Sequence, residues 1–287
     1  MEHVVWHEEV TLHTPVLIAA FAGWNDAGDA ATTAAKYLIE VSDARLIATV
    51  DPEEFFEFQT TRPHVRLSSD HSRELVWPTV DVYAADSIAS DLIIVLGVEP
   101  QLRWRTFTEQ ITNIALEQGV SLALTMGALL ADVSYRHRVQ VLGTATDQHL
   151  IDRFELERSR YQGPTGIIGV LNDALGRKGI PSASLWAACP TYAAHIPSPK
   201  AAAALVQRTS DITGITIPTG TLDALVGDYE RSVATHVAND DALAAYVRQI
   251  ENAAGDVPAP ETGVALSDNP EGLVAEVENF LRDHGGS

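Results

Sequence analysis

The sequence has a single cysteine, Cys189, among its 287 residues. One cysteine excludes an intramolecular disulfide and any cysteine-rich metal site, and it fits a reducing compartment. Basic charge is also scarce, because 19 Lys and Arg stand against 39 Asp and Glu, giving a net charge of −20. Such an acidic chain repels phosphate backbones and anionic lipids, so we expect no nucleic-acid partner and no binding to a membrane surface.

Long hydrophobic runs are absent as well. No segment reaches the roughly 18 consecutive apolar residues that a membrane helix needs. Residues 1–10, MEHVVWHEEV, have neither the basic start nor the apolar run of a signal peptide. We therefore expect a cytoplasmic protein, and the 46% share of hydrophobic residues is that of an ordinary globular chain.

Short apolar runs alternate with helix-length segments over most of the chain, a pattern typical of an α/β sheet with crossover helices. The clearest unit is a strand at Val16–Phe21, a helix at Ala30–Val41 and a strand at Arg45–Val50. The same reasoning predicts strands at Leu92–Leu96, Ser121–Thr125, Val139–Leu142 and Ser184–Ala188, a hairpin of His64–Leu67 with Glu74–Trp77, and helices at Phe107–Gln118, Ile167–Lys178 and Lys200–Thr213.

The last part of the chain has no strand-like run. Leu222–Glu251 predicts one or two helices, 255–269 has the composition of a linker, and Pro270–Arg282 predicts a short amphipathic helix that docks on its own domain or on another subunit. We divide the chain into a core domain (1–213), a helical extension (214–254), and a linker with a C-terminal helix (255–287). Residues 211–287 hold 14 acidic and 3 basic residues, which predicts a solvated surface or a face for a basic partner.

The loop GWNDAGD, from Gly23 to Asp29, is the most informative motif. It follows the first predicted strand and opens a helix, which is where open α/β sheets bind ligands. Either Asn25 or Asp26 caps the helix with support from Asp29, or the loop contacts a ligand or partner. The candidate binding residues of this loop are Gly23, Trp24, Asn25, Asp26, Gly28 and Asp29.

Two further strand ends are predicted to lie at the same edge. Glu99 follows the strand at Leu92–Leu96, and Arg103 and Arg105 come shortly after it. We interpret these charges either as an ion pair between Glu99 and an arginine that orders the loop, or as groups that bind a ligand. A third loop is expected from Met126 to Arg138. The candidate binding residues at these positions are Glu99, Arg103, Arg105 and Gly127, together with His195 beyond the last core strand.

Catalytic and cofactor motifs are missing. The sequence has no dinucleotide fingerprint, phosphate-binding P-loop, HExxH zinc motif or GxSxG nucleophile elbow. The glycines at 163, 166 and 169 indicate either a tight helix entry or a weak phosphate cradle. We therefore predict no cofactor and no metal ion, and we assign no catalytic residue.

Four motifs in order resemble the PAC2 family, which is named for proteasome assembly chaperone 2, and its actinobacterial branch in particular. They are FAGWNDAGDAA (Phe21–Ala31), GVEP (Gly97–Pro100), GPTGIIGVLN (Gly163–Asn172) and SLWAACPTY (Ser184–Tyr192). The resemblance implies a phosphorylase/hydrolase-like three-layer α/β sandwich with a central mixed sheet, plus a C-terminal helical extension.

The same resemblance implies a non-enzymatic protein-binding module similar to proteasome assembly chaperones. It also implies self-association, a trimer being one candidate form, and proteasome subunits as candidate partners. The alternative is a small-molecule protein or enzyme for nucleosides or phosphate, by analogy with nucleoside phosphorylases. That alternative needs positive charge at the loops, where only Arg103 and Arg105 are near.

Overall fold

A computed structural model describes residues 2–68, 71–86 and 91–255. The predicted helix at Pro270–Arg282 and nearly all of its linker lie outside the described residues. The strands are β1 (Val4–Trp6), β2 (Val16–Ala22), β3 (Arg45–Val50), β4 (His64–Leu67), β5 (Arg73–Val76), β6 (Val80–Ala85), β7 (Leu92–Val98), β8 (Leu122–Ala131), β9 (Val141–Ala145), β10 (Glu157–Arg158) and β11 (Ser182–Pro190). The helices are α1 (Ala30–Val41), α2 (Trp104–Glu117), α3 (Gln148–Phe154), α4 (Ile167–Arg177), α5 (Pro199–Thr213), α6 (Gly220–Ala238) and α7 (Asp241–Gly255).

Within the described ranges, nine strands form one mixed sheet in the order β1-β3-β6-β7-β2-β8-β11-β9-β10. The four central strands β7, β2, β8 and β11 are parallel, whereas β6 and β9 run antiparallel to their neighbours β7 and β11. The β4–β5 hairpin is a separate two-stranded sheet. The predicted mixed sheet is therefore confirmed.

The sheet is buried on both faces because its central strands are almost entirely apolar. On one face, Ile18 and Ala20 of β2 belong to a cluster with residues of α1 and α5. On the other face, Leu17 and Ala19 pack in a second cluster with residues of α2 and α4. Helices thus cover both faces, and the expected three-layer sandwich is confirmed.

The predicted loop from Met126 to Arg138 is wrong in its first half. Strand β8 continues to Ala131 and pairs in parallel with β11 along nine residues of each strand. Gly127 lies inside this strand, and a Cβ there would lie 2.5 Å from the Trp186 ring. Glycine at this position makes room for the indole and does not mark a turn.

The helical extension consists of the two helices α6 and α7. They pack where β8 and β11 end, in a small apolar cluster that includes Tyr135, Tyr229 and Val247. An ion pair of 2.8 Å between Arg136 and Glu251 adds a polar contact to α7. No helix within the described ranges combines the length and apolar character of a membrane span.

Candidate functional site

Strands β7, β2, β8 and β11 all end at the same edge of the sheet, here called the carboxyl edge. The loop that follows β2 lies at this edge. Gly23 (φ 127°) and Gly28 (φ 58°) adopt left-handed backbone conformations that favour glycine. Between them, the carbonyl of Asn25 accepts a 2.8 Å hydrogen bond from the Ala128 amide of β8. This bond holds the loop against the sheet, where the side chains of Asn25 and Asp26 are buried.

The Asp26 carboxylate caps α1, which selects Asp26 from the two caps, Asn25 and Asp26, that the sequence left open. Its Oδ1 accepts bonds of 2.6 Å from the Ala31 amide and 3.3 Å from the Thr32 amide, and its Oδ2 accepts the Thr32 hydroxyl at 2.5 Å. Burial raises the pKa of Asp26 above its usual value of 3.8, against these hydrogen bonds. The predicted support from Asp29 is wrong, because that side chain makes no cap bond.

A second carboxylate joins three loops. Glu99 Oε1 accepts hydrogen bonds of 2.8 Å from Asn25 Nδ2 and 2.8 Å from the backbone amide of Ile167, the first residue of α4. Gly166 precedes that amide, and a Cβ there would lie 2.3 Å from Asn25 Nδ2. The helix start that could receive a phosphate is thus occupied by the chain's own carboxylate, and the glycine provides a tight helix entry.

Neither Arg103 nor Arg105 forms an ion pair with this carboxylate in the described part of the chain. The Arg103 guanidinium forms an ion pair with Glu54, so the predicted pair with Glu99 is wrong. Arg103 also has a left-handed backbone (φ 52°) where α2 begins, and Arg105 is exposed in the first turn of that helix. The Arg103 charge is therefore directed at Glu54 and not at Glu99.

The remaining sequence candidates do not join the loop contacts. Gly127 is part of β8, under the Trp186 ring. His195 is exposed, and its ring packs edge-on against His236 of α6 with 4.8 Å between centroids. Of the eleven candidates, the structure links Asn25 and Glu99 directly, and it places Gly23 against the Glu99 side chain.

Apolar side chains face solvent at the same edge. Trp24 is 57% exposed and Leu102, in the loop after β7, is 44% exposed. The Leu102 amide donates a 3.0 Å bond to the carbonyl of Phe55, so the chain between β3 and the hairpin lies beside this loop. Leu102 was missed from the sequence because a single leucine in a turn carries no periodic signal.

The geometry defines a three-layer α/β sandwich whose carboxyl-edge loops bind one another through the half-buried Glu99 carboxylate and the buried Asn25 amide. Among the described residues, no group of three His, Cys, Asp or Glu side chains could hold a metal ion. The model of the PAC2 family matches residues 20–237, and the chain belongs to that family.

Solved structures agree with this assignment. A proteasome-assembly chaperone homologue from Mycobacterium tuberculosis is 38% identical, with a TM-score of 0.73 over 81% of this chain and 99% of that chain. A PAC2 family protein from Streptomyces avermitilis is also 38% identical, with a TM-score of 0.72 and the same coverage of 81% and 99%. An archaeal proteasome activator from Pyrococcus furiosus shares the fold at 21% identity, with a TM-score of 0.67 over 82% and 99% of the two chains. No curated protein matches the sequence significantly.

Proposed function

We propose that this chain is a non-enzymatic protein-binding module of the assembly-chaperone type, that its partners are proteasome subunits, and that it works in the cytoplasm as a homo-oligomer, a trimer being the first form to test. The 38% identical Mycobacterium tuberculosis relative is a proteasome-assembly chaperone homologue, which supports the partner class. The carboxyl edge, with Trp24 and Leu102 at its surface, is the proposed contact surface.

The observation that supports this proposal is that polar and apolar side chains point in opposite directions at the carboxyl edge. The polar groups that could bind a small molecule are turned inward: Asp26 caps α1, and Glu99 holds Asn25 and the start of α4. The large apolar groups Trp24 and Leu102 are turned outward. Tryptophan is enriched among the residues that contribute most to protein–protein affinity, so this surface suits a protein partner.

The test is affinity purification of the tagged full chain from its native host at low salt, followed by mass spectrometry. Stoichiometric recovery of proteasome subunits is the expected result. Recovery of the chain alone would contradict the proposal. Light scattering on the purified chain gives the oligomer number, and a mass equal to one chain would contradict the homo-oligomer.

The small-molecule alternative has its own test. Inorganic phosphate, a nucleoside or ribose phosphate at millimolar concentration would raise the melting temperature if the carboxyl edge bound it. The matched variant is Arg103→Asn with Arg105→Gln, since asparagine tolerates the left-handed backbone at 103. We expect no shift in either protein, whereas a shift lost in the variant would favour the small-molecule function.

A further inference from the structure

The β4–β5 hairpin presents an apolar face to solvent. In its register, Val65 lies opposite Leu75 and Leu67 lies opposite Arg73. Because side chains alternate along each strand, these three apolar residues and Arg73 lie on the same face. Trp77 directly follows β5. The hairpin patch is the set Val65, Leu67, Leu75 and Trp77, whose exposed fractions lie between 43% and 64%.

This patch is as large as the largest apolar patch of a typical monomer, and such patches are often functional. All eight residues of β4 and β5 are exposed. The four apolar side chains offer roughly 400 Å², which falls in the range of functional surface patches. A two-stranded hairpin is only marginally stable by itself. One end is anchored, because the Trp77 ring packs edge-on against Phe58 at 4.8 Å between centroids.

The size of the patch favours a short segment over a globular partner. A stable interface between two folded chains buries about 800 Å² on each partner, roughly twice what the patch offers. Each four-residue strand is about 14 Å long. An amphipathic helix of three turns, about 16 Å long, has the matching length.

The chain's own sequence contains such a segment at 272–282, GLVAEVENFLR, which lies outside the described residues. Its apolar residues Leu273, Val277 and Phe280 recur at the spacing of one helix face. The charges are also complementary. Arg73 lies on the patch face, whereas Arg66 forms an ion pair with Glu74 on the opposite face. Residues 256–287 carry seven acidic residues and one Arg.

The distance along the sheet is short enough for the chain to cross. Helix α7 is attached beside the end of β8 through the Arg136–Glu251 ion pair. The hairpin leads into β6, which lies three strands from β8, or about 15 Å away. Residues 256–271 can extend over about 50 Å, so the segment reaches the patch of its own chain.

We propose that residues 272–282 bind the hairpin patch of the same chain, with their apolar residues on Val65, Leu67 and Leu75 and their acidic residues beside Arg73. The segment then covers an apolar surface at the carboxyl edge.

Cysteine cross-linking of the full chain tests the contact. Leu67→Cys with Val277→Cys supplies the pair, and a short bismaleimide joins them. The native Cys189 does not react with the bismaleimide, because its side chain is buried and burial raises the pKa of its thiol to about 12. The matched control is Leu116→Cys with Val277→Cys, since Leu116 is 47% exposed at the end of α2, away from the carboxyl edge.

We expect an intrachain cross-link in the Leu67→Cys, Val277→Cys protein whose yield is independent of protein concentration and about tenfold above the control. Equal yields in the two proteins would overturn the proposal. Links found only between chains would also overturn it, and would assign the patch to a second copy.

Hydrogen exchange gives a second measurement without cysteines. Phe280→Ser with Leu281→Ser removes apolar side chains from the segment and leaves the described fold untouched. Exchange of the amides in β4 and β5 should become about tenfold faster, while exchange in β2 stays the same. Unchanged exchange in the hairpin would show that the segment does not cover it.

Discussion

Replacement of Asp26 by alanine is the sharpest test of how the carboxyl edge is held together. The change removes the acceptor of three hydrogen bonds, from the Ala31 amide, the Thr32 amide and the Thr32 hydroxyl. These donors are buried, so water replaces the lost acceptor poorly. The first turn of α1 should therefore loosen, and the loop that carries Trp24 should lose its support.

The expected cost follows from the contacts. The lost cap leaves the Ala31 amide, the Thr32 amide and the Thr32 hydroxyl without their acceptor, and each buried donor without a partner costs about 1–3 kcal/mol. Removal of a carboxylate that burial disfavours offsets part of this sum. We expect Asp26→Ala to lower the free energy of unfolding by about 3 kcal/mol, which in a chain of this size lowers the melting temperature by roughly 5–10 °C.

The assay is urea unfolding followed by circular dichroism at pH 7, with Asp29→Asn as the matched control. Asp29 lies three residues away and makes no cap bond, and asparagine tolerates its left-handed backbone. The control should change stability by less than about 0.5 kcal/mol. The reasoning is refuted if both variants lose the same stability.

Three other results are expected. Burial raises the pKa of Asp26 in the folded state above 3.8, so the folded state binds this proton more tightly, and the contribution of Asp26 to stability falls as pH rises from 3.8 through the folded pKa. Urea unfolding at a series of pH values from about 3.5 upward should show the wild-type chain losing stability relative to Asp26→Asn. Gly127→Ala places a Cβ 2.5 Å from the Trp186 ring and should cost about 2 kcal/mol in the same assay, part of which Trp186→Leu restores. The Cys189 thiol, with its pKa raised to about 12, should react with a disulfide reagent at about pH 8 at least a hundredfold more slowly than free cysteine.

For each of these three predictions, a specific outcome would contradict the reasoning. A stability difference between the wild-type chain and Asp26→Asn that grows in favour of the wild type as pH rises would contradict the raised pKa. Gly127→Ala with unchanged stability would show that the indole moves aside without cost. Rapid labelling of Cys189 in the absence of urea would contradict its burial.

Apolar runs were enough to predict most of the fold. Val16–Phe21, Ala30–Val41 and Arg45–Val50 are found as β2, α1 and β3 within one residue at each end. Elements with weak or mixed patterns were not predicted: the three residues of β1, the two of β10, the short helix α3, and β6 with a charged Asp81 near its start. Their positions depend on pairing with neighbouring elements, which a single segment does not reveal.

The candidate site was predictable only where contacts are local. The cap by Asp26 spans five and six residues, so the loop sequence alone reduced the choice to Asn25 or Asp26. The contacts of Glu99 span 74 residues to Asn25 and 68 residues to Ile167, and the expected arginine partner was simply the nearest opposite charge. The hydrogen-bond partners of Glu99 depend on how α4 packs against the sheet. The spacing of residues along the sequence does not reveal that packing.

The central claim is that this PAC2 family protein binds a protein partner through the carboxyl edge. Capture from the native host with Trp24→Ala and with Leu102→Gln, beside the control Leu116→Gln, tests it most directly. Leu102 and Leu116 are 44% and 47% exposed but lie at opposite ends of α2. We predict that the edge variants lose at least about tenfold of the captured partner, roughly 1.4 kcal/mol of binding, while the control retains it. Equal capture by all three proteins would contradict the claim.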